Sequence, residues 1–529
     1  MGFWDKSFQI FNCLCEHGAQ SVRRIAHQTG FSKSSVHRLQ QAIARRGCHP
    51  ESWLWETAEG RWWLSRLLVA TLYTFGLKRG VGLETISEFF ARLRLERQVG
   101  CSPSALRGVM QALETALLET AETWEQDGCA DGEVREIIGA VDETFLERMM
   151  LVCMDLRTGY LLREEVADDR TYTTWKALVE ERLTVLSTGV RYLVSDRAKA
   201  LIQLAEKGFE CLSIPDFFHV MHDLVKSYSF ALARRVHQAH QALKKAEEVL
   251  SRQPDPPGQP QASSAVEHSV EVRCAEVQRW EQVHSLYRQH LETLSLTLHP
   301  FTIHDSAPQT SAEVHSQLQA AIDAIETLAQ EQQLPARHGA MKKVRNQLPA
   351  LAALVDFWWV GVGHDLEQAA ISAPWRTWAR EFLLPWVYWE HQVAHTRCMR
   401  RKAKMRQAWE GMQAAFHTHA LTLRLPAQAL EEWHTWATQQ VQAFQRASSA
   451  VEGRNGVLAQ LHHNQRGLPK RRYKVWTVLH NFDCHAADGT TPASRFFRRP
   501  FPDLFETVLS RIEALPQARR GKRQVALCH

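Results

Sequence analysis

The spacing of hydrophobic positions changes twice along the chain. Between residues 6 and 47 apolar side chains recur every three or four positions in three short stretches, the spacing of amphipathic helices. In the second and third stretches, Val22, Ile25 and Ala26 precede Gly30, and Val36 and Leu39 follow it. Small Ala26 suits a helix crossing, Gly30 a sharp turn, and Ser32 the N-cap of the next helix. Residues 61–127 keep helical spacing after an aromatic-rich start at Trp53, Trp55, Trp62 and Trp63, and Ser102-Pro103-Ser104 marks a new helix start. From residue 134 the period shortens. Ile137 to Leu146, Met149 to Leu156 and Tyr160 to Val166 each read as a strand, the last two joined by the turn Arg157-Thr158-Gly159. A helix over 172–186, a strand over 192–196, a helix over 197–207 and a strand over 210–214 complete a β-β-β-α-β-α-β order. After Pro215 the pattern is helical for more than 200 residues, interrupted by a Pro/Gln/Ser-rich link at 253–264 and a break near 304–309.

A chain of 529 residues exceeds one compact core, and 45% hydrophobic with 23% charged residues is ordinary globular composition. No apolar run approaches the roughly 20 residues of a membrane span, and the first residues lack a signal-peptide pattern, so a cytoplasmic, nucleoid-associated protein without membrane contact is expected. The 11 scattered cysteines form no C-x-x-C pair and read as free thiols. Charge is unevenly placed. Residues 1–50 hold seven Lys/Arg against two Asp/Glu and residues 453–529 fourteen against five, leaving the middle acidic. Basic ends anticipate a polyanion, and an acidic middle can cluster carboxylates.

Residues 22–39 therefore read as a helix-turn-helix. Its second helix presents Lys33, Ser34, Ser35, His37, Arg38 and Gln41 to double-stranded DNA, although a helical dimerisation module fits the same pattern. Two acids stand in or just after apolar strands, Asp142 and Asp196, where a carboxylate is costly unless paired or bound to metal. The strand and helix order is that of an RNase H-like α/β core, in which these strands are neighbours.

Four segments resemble bacterial insertion-sequence DDE transposases. Val141-Asp142-Glu143-Thr144 is similar to the family's first-aspartate strand, and Leu193-Val194-Ser195-Asp196-Arg197-Ala198 to its second. Ile214-Pro215-Asp216-Phe217-Phe218-His219-Val220 looks like the segment that follows, and Ser448-Ser449-Ala450-Val451-Glu452-Gly453-Arg454-Asn455 like the helix bearing the catalytic glutamate. The likeness covers roughly 134–225 and 446–497. It implies that Asp142, Asp196 and Glu452 are both catalytic residues and metal ligands, holding two Mg²⁺ (or Mn²⁺) ions; His219 reads as a residue behind Asp196 or as packing. It further implies cleavage of element ends, strand transfer into target DNA, and a homodimer or higher oligomer on DNA. Arg454, Asn455, Lys470, Arg471 and Arg472 are expected to contact DNA.

Some relatives with a helical insertion place Tyr, Arg and Lys around the catalytic glutamate. Here those places hold Gln445, Ser448 and Ala459, which does not support a hairpin intermediate. Trp358, Trp359, Trp375, Trp378, Trp386 and Trp389 serve either as core or as stacking partners for an extruded base. His219, His222 and Asp223 share a helical face without a zinc-site pattern.

The expected architecture is mostly helical: an α/β RNase H-like core with a large all-α insertion and an N-terminal helix-turn-helix. Its parts are a helix-turn-helix at 1–50, a helical linker or second DNA-binding region at 51–133, the first part of the core at 134–225, the insertion at 226–445, and the last part with a basic tail at 446–529. A transposase-derived DNA-binding protein without catalysis, and a metal-dependent nuclease without strand transfer, are the rival readings.

Overall fold

The computed structural model describes residues 3–47, 50–252, 260–464, 470–512 and 514–518. Helices α1 (Phe3–His17), α2 (Val22–Thr29) and α3 (Lys33–Arg46) close around their own core of Ile10, Cys13, Ile25, Val36 and Leu39. Gly30 adopts φ +72° at the turn, a left-handed conformation that favours glycine. The Ser32 hydroxyl accepts from the Ser35 N–H and caps α3. Buried Arg46 ties this unit to the next, donating to Glu56 at 2.5 Å and to Ser7 at 2.7 Å. Helices α4 (Ala58–Thr71), α5 (Leu83–Arg92) and α6 (Pro103–Cys129) follow, the last starting at the expected Ser102 cap.

The sheet then forms as its apolar spacing requires. Strands β1 (Arg135–Leu146), β2 (Arg148–Asp155), β3 (Leu161–Ala167), β4 (Thr188–Ser195) and β5 (Leu212–Pro215) lie in the order β3-β2-β1-β4-β5. Central β1 runs antiparallel to β2 and parallel to β4, and β4 parallel to β5. Helices α7 (Tyr172–Val185) and α8 (Lys199–Gln203) make the crossovers. Ile137, Ile138, Ala140 and Val141 are all buried, as a strand covered on both faces demands.

The helical insertion comprises α9 (Phe217–Arg252), α10 (Pro260–Thr297), α11 (Ser311–Glu331), α12 (His338–Gln368), α13 (Ala373–Trp378), α14 (Leu384–His395), α15 (Met399–Thr418) and α16 (Ala427–Gln442). The expected boundary at 225/226 falls inside α9, so the insertion grows out of the helix that follows β5 without a break. Part of the expected link at 253–264 is helical, since α10 begins at Pro260; residues 253–259 lie outside the described set. Trp358, Trp359, Trp378 and Trp389 are core here, at most 9% exposed, and their indole N–H groups donate to Gln440, Gln309, Thr422 and Ser306. They have no face to offer an extruded base. Trp375 and Trp386 are partly buried against the same core.

Helices α17 (Ser449–Asn464), α18 (Lys470–Asp483), α19 (Pro492–Phe496) and α20 (Leu504–Ser510) return to the sheet. Asn481 of α18 brackets the edge of β3, accepting from the Leu161 N–H and donating to its carbonyl, both at 2.9 Å. These contacts cover polar groups that an open edge would expose. A buried ion pair fastens α17 to the same strand: Arg454 donates to Glu164 at 2.6 and 2.8 Å, and Thr477 adds a third bond to that carboxylate.

Arg454→Met, which strands the Glu164 charge in the interior, is expected to cost about 3–5 kcal/mol in chemical denaturation. Breaking the more exposed Arg66–Glu506 pair with Arg66→Ala should cost far less in the same measurement.

Candidate active site

Three elements converge at the end of the sheet. Asp142 lies on β1 beyond its run of buried residues. Glu452 lies in the first turn of α17, whose buried face of Val451, Arg454, Asn455, Leu458 and Leu461 is set by helical spacing. Asn455, three residues after Glu452 and hence on the same side of the helix, donates from Nδ2 to Asp142 Oδ2 at 2.8 Å. That bond joins positions 313 apart in the chain. His219, in the first turn of α9, completes the group: one ligand atom each from Asp142, His219 and Glu452 lie within 4.8 Å of one another.

The local geometry follows from Asp216, at the junction of β5 and α9. Its N–H donates to the Ser195 carbonyl. Its side chain, 0% exposed, accepts from the Phe218 N–H (2.9 Å), the Ser448 N–H (2.9 Å), the Ser448 hydroxyl (2.5 Å) and His219 Nδ1 (2.6 Å). One carboxylate thus fixes the start of α9, the approach to α17 and the histidine ring. Nearby, the Tyr192 hydroxyl on β4 accepts from the Gln445 N–H at 2.8 Å and donates to the Ala443 carbonyl at 2.9 Å, while the Phe217 N–H donates to the Arg446 carbonyl. These bonds bring the end of the long insertion back to the sheet.

The electrostatics record the crowding. Burial, reinforced by the Glu452 charge, pushes the Asp142 carboxyl up to about 7. The Asp216 hydrogen bond, helped by the charges around it and opposed by burial, raises the His219 imidazole to about 9. For Asp216 burial works against the charge, but the bonds from His219, Ser448 and Phe218 outweigh it and hold the carboxyl below its ordinary range.

Asp196 does not join the group of three. Ala140 pairs with Val194, so Asp142 and Asp196 each lie two residues further along adjacent strands. But β4 ends at Ser195, and strand alternation no longer governs the next residue. Arg197 takes φ +60°, and the Ala198 N–H draws Asp196 Oδ1 into the turn at 2.8 Å. The Asp196 charge acts instead on Glu143, whose carboxyl is raised first by burial and then by Asp196, against the pull of Arg170. His219, expected behind Asp196, stands with Asp142 and Glu452.

Several expected DNA contacts also need correction. Arg454 is buried in the pair with Glu164, and Arg472 is buried against Glu114 at 2.5 Å, so both brace the fold rather than face a phosphate. Asn455 is buried and serves Asp142. Arg471 is exposed and donates to Thr115; the Lys470 side chain and the tail beyond Ala518 lie outside the described residues. Zinc at His219, His222 and Asp223 finds no support, because Asp223 pairs with Lys343 and His222 stacks on Phe218. Sequence reasoning missed the tie from Asp216 to Ser448, which only the segment Asp216–His219 placed beside the glutamate helix could have suggested.

On α3 the expected face is open. Lys33, Ser34, His37, Arg38 and Gln41 are exposed and Ser35 is half-buried, while Val36 and Leu39 point into the small core. Residues 5–48 match the family model described as the IclR helix-turn-helix domain, which supports a DNA-binding role. Residues 379–524 match a second model, described as a family of unknown function (DUF6399). That match includes Glu452 and Asn455 and excludes Asp142, Asp196 and His219. No curated protein matches the chain. No helix among the described residues is long and apolar enough to cross a membrane.

Asp142 and His219 both hold protons more tightly when folded, so the ion-free protein should lose stability as pH rises. The Asp142 share is lost from about 4 toward 7, and the His219 share from about 6.5 toward 9. At pH 8 without metal, Asp142→Asn is expected to be more stable than wild type by on the order of 1–3 kcal/mol, discounted for partial solvent access. Denaturation at pH 6 and pH 8 measures this; an unchanged difference between the two proteins would contradict it.

Proposed function

We propose that this chain is a DNA transposase: an RNase H-like metal-dependent enzyme whose helix-turn-helix binds element ends. The observation that carries the reading is the meeting of Asp142 with the helix of Glu452, across more than 300 residues of intervening chain, at the end of a sheet ordered β3-β2-β1-β4-β5. Two carboxylates are brought together there beside His219, and a bound cation would offset the repulsion between them.

The residues fit a divalent cation. Asp142 and Glu452 supply hard oxygen donors. Asn455 Oδ1 is buried with no hydrogen-bond partner, as expected beside a hydrated ion. The raised Asp142 carboxyl is what an added positive charge would relieve. Bound divalent ions would polarise the phosphoryl oxygen and acidify the attacking water or 3′-hydroxyl. Asp142 and Glu452 would hold the first ion. Asp196, beside Glu143 at the end of the neighbouring strand, would serve a second after a modest shift of its turn. Asn455 orients Asp142, and Asp216 keeps the Glu452 helix in place. In-line hydrolysis at the element boundary, followed by attack of the freed 3′-hydroxyl on target DNA, is the reaction such a centre supports. Pairing two DNA ends calls for a dimer or larger assembly.

Purified full-length protein with Mn²⁺ or Mg²⁺ should nick DNA carrying the flanks of its own reading frame and join the cut ends to a target plasmid. Glu452→Gln and Asp142→Asn should each reduce cleavage by about 10²- to 10³-fold without weakening DNA binding. Full cleavage by both variants would refute the site. Cutting without joined products would favour the nuclease reading, and binding without cutting the non-enzymatic one. Separately, Arg38→Ala should weaken DNA binding; if it contacts a phosphate, the slope of log K against log salt falls by about 1. No change in affinity would remove α3 from the DNA interface.

A further inference from the structure

His219 is the sole nitrogen donor in the group it forms with Asp142 and Glu452. Its ring is not free to turn. Nδ1 lies 2.6 Å from Asp216 Oδ2, and Asp216 is itself pinned by Ser448 and by the Phe218 N–H. A carboxylate at Nδ1 holds a proton there and turns Nε2 outward, where it can bind a metal once the ion displaces its proton. Nε2 then faces Glu452 Oε1 at 3.5 Å. A charge-assisted hydrogen bond would close to about 2.7–2.9 Å. Two ligands bound about 2.1 Å from a shared ion at a tetrahedral angle stand about 3.4 Å apart. At the observed separation the two atoms stand at the distance of ligands that share an ion.

Asn455 gives an independent sign. The residue is 8% exposed, Nδ2 is committed to Asp142, and Oδ1 is buried with nothing to accept from. A buried acceptor facing no donor is costly, and water on a bound cation would supply one.

We propose that Asp142, Glu452 and His219 Nε2 form one mixed oxygen–nitrogen cation site, with Asp216 as the positioning residue behind the imidazole. Such a donor set favours ions that accept imidazole, namely Mn²⁺, Co²⁺ and Zn²⁺, over Mg²⁺ and Ca²⁺. The inference rests on the metal-dependent reading above and refines its ligand set, since the family resemblance pointed to carboxylates alone.

The test uses full-length protein stripped of metal with a chelator and reloaded with Mn²⁺ alone. Pulsed electron paramagnetic resonance should show coupling to a directly bound imidazole nitrogen, shifted as expected on ¹⁵N-histidine labelling and absent in His219→Gln. The same variant should bind Mn²⁺ about 10- to 100-fold more weakly and Mg²⁺ within about threefold of wild type. Asp216→Asn should keep the nitrogen coupling while weakening Mn²⁺ binding about 10- to 100-fold. If Mn²⁺ binds and is lost in Asp142→Asn, but no nitrogen coupling appears, His219 is only a counter-ion and the proposal fails while the metal site stands. If Mn²⁺ binds equally to wild type and Asp142→Asn, or to neither, the metal-dependent reading fails with it. Should His219→Gln not fold, the labelled wild-type spectrum still decides, because absence of coupling is enough to overturn the proposal.

Discussion

The site depends on one buried carboxylate. Asp216 accepts four hydrogen bonds from three directions, and each fixes a different part of the structure: the start of α9, the approach to α17, and the His219 ring. Ionised carboxylates are costly to bury, and this one is tolerated because its acceptor sites are filled. The insertion leaves the sheet at β5 and returns more than 200 residues later. Without a fixed point where the chain departs and returns, loop entropy would leave the Glu452 helix poorly placed. Asp216 supplies that point, and Tyr192 and Arg446 reinforce it.

A division of labour follows among the charged residues near the sheet. Arg454 and Glu164 neutralise each other in the interior and hold α17 down; Arg472 and Glu114 do the same for α18. These charges have been spent on architecture. Asp142, Glu452, Asp196 and Glu143 lie near one another at the sheet end, where burial and neighbouring charge raise the Asp142 and Glu143 carboxyls. The contrast is between closed arginine–carboxylate pairs inside and a group of acids with looser partners at the sheet end.

Much of this was legible in the sequence. Short apolar runs and turn residues located all five strands to within a few residues, because strands covered on both faces leave continuous apolar runs such as Ile137–Val141. Ala26, Gly30 and Val36 located the helix-turn-helix because the crossing and the turn tolerate few alternatives. Glu452 was found only through its context, since an acid in the first turn of a helix is common by itself. The remaining features depend on contacts that spacing does not encode. Nothing local distinguishes Arg454, buried against a strand 290 residues away, from the exposed Arg38. Asp196 was expected with Asp142 and Glu452, but it lies one residue past the end of β4 and its carboxylate accepts from the Ala198 N–H in the following turn. His219 was assigned to the wrong acid because its true neighbours come from β1 and α17.

In the proposed enzyme, distant acids meet at the sheet end to hold a divalent ion. A crystal of the full-length protein soaked in Mn²⁺ and measured at the manganese absorption edge tests it most directly. An anomalous peak is expected between Asp142 and Glu452, in contact with both carboxylates. A fully occupied crystal with no peak there, or with Asp142 and Glu452 turned apart, would contradict it.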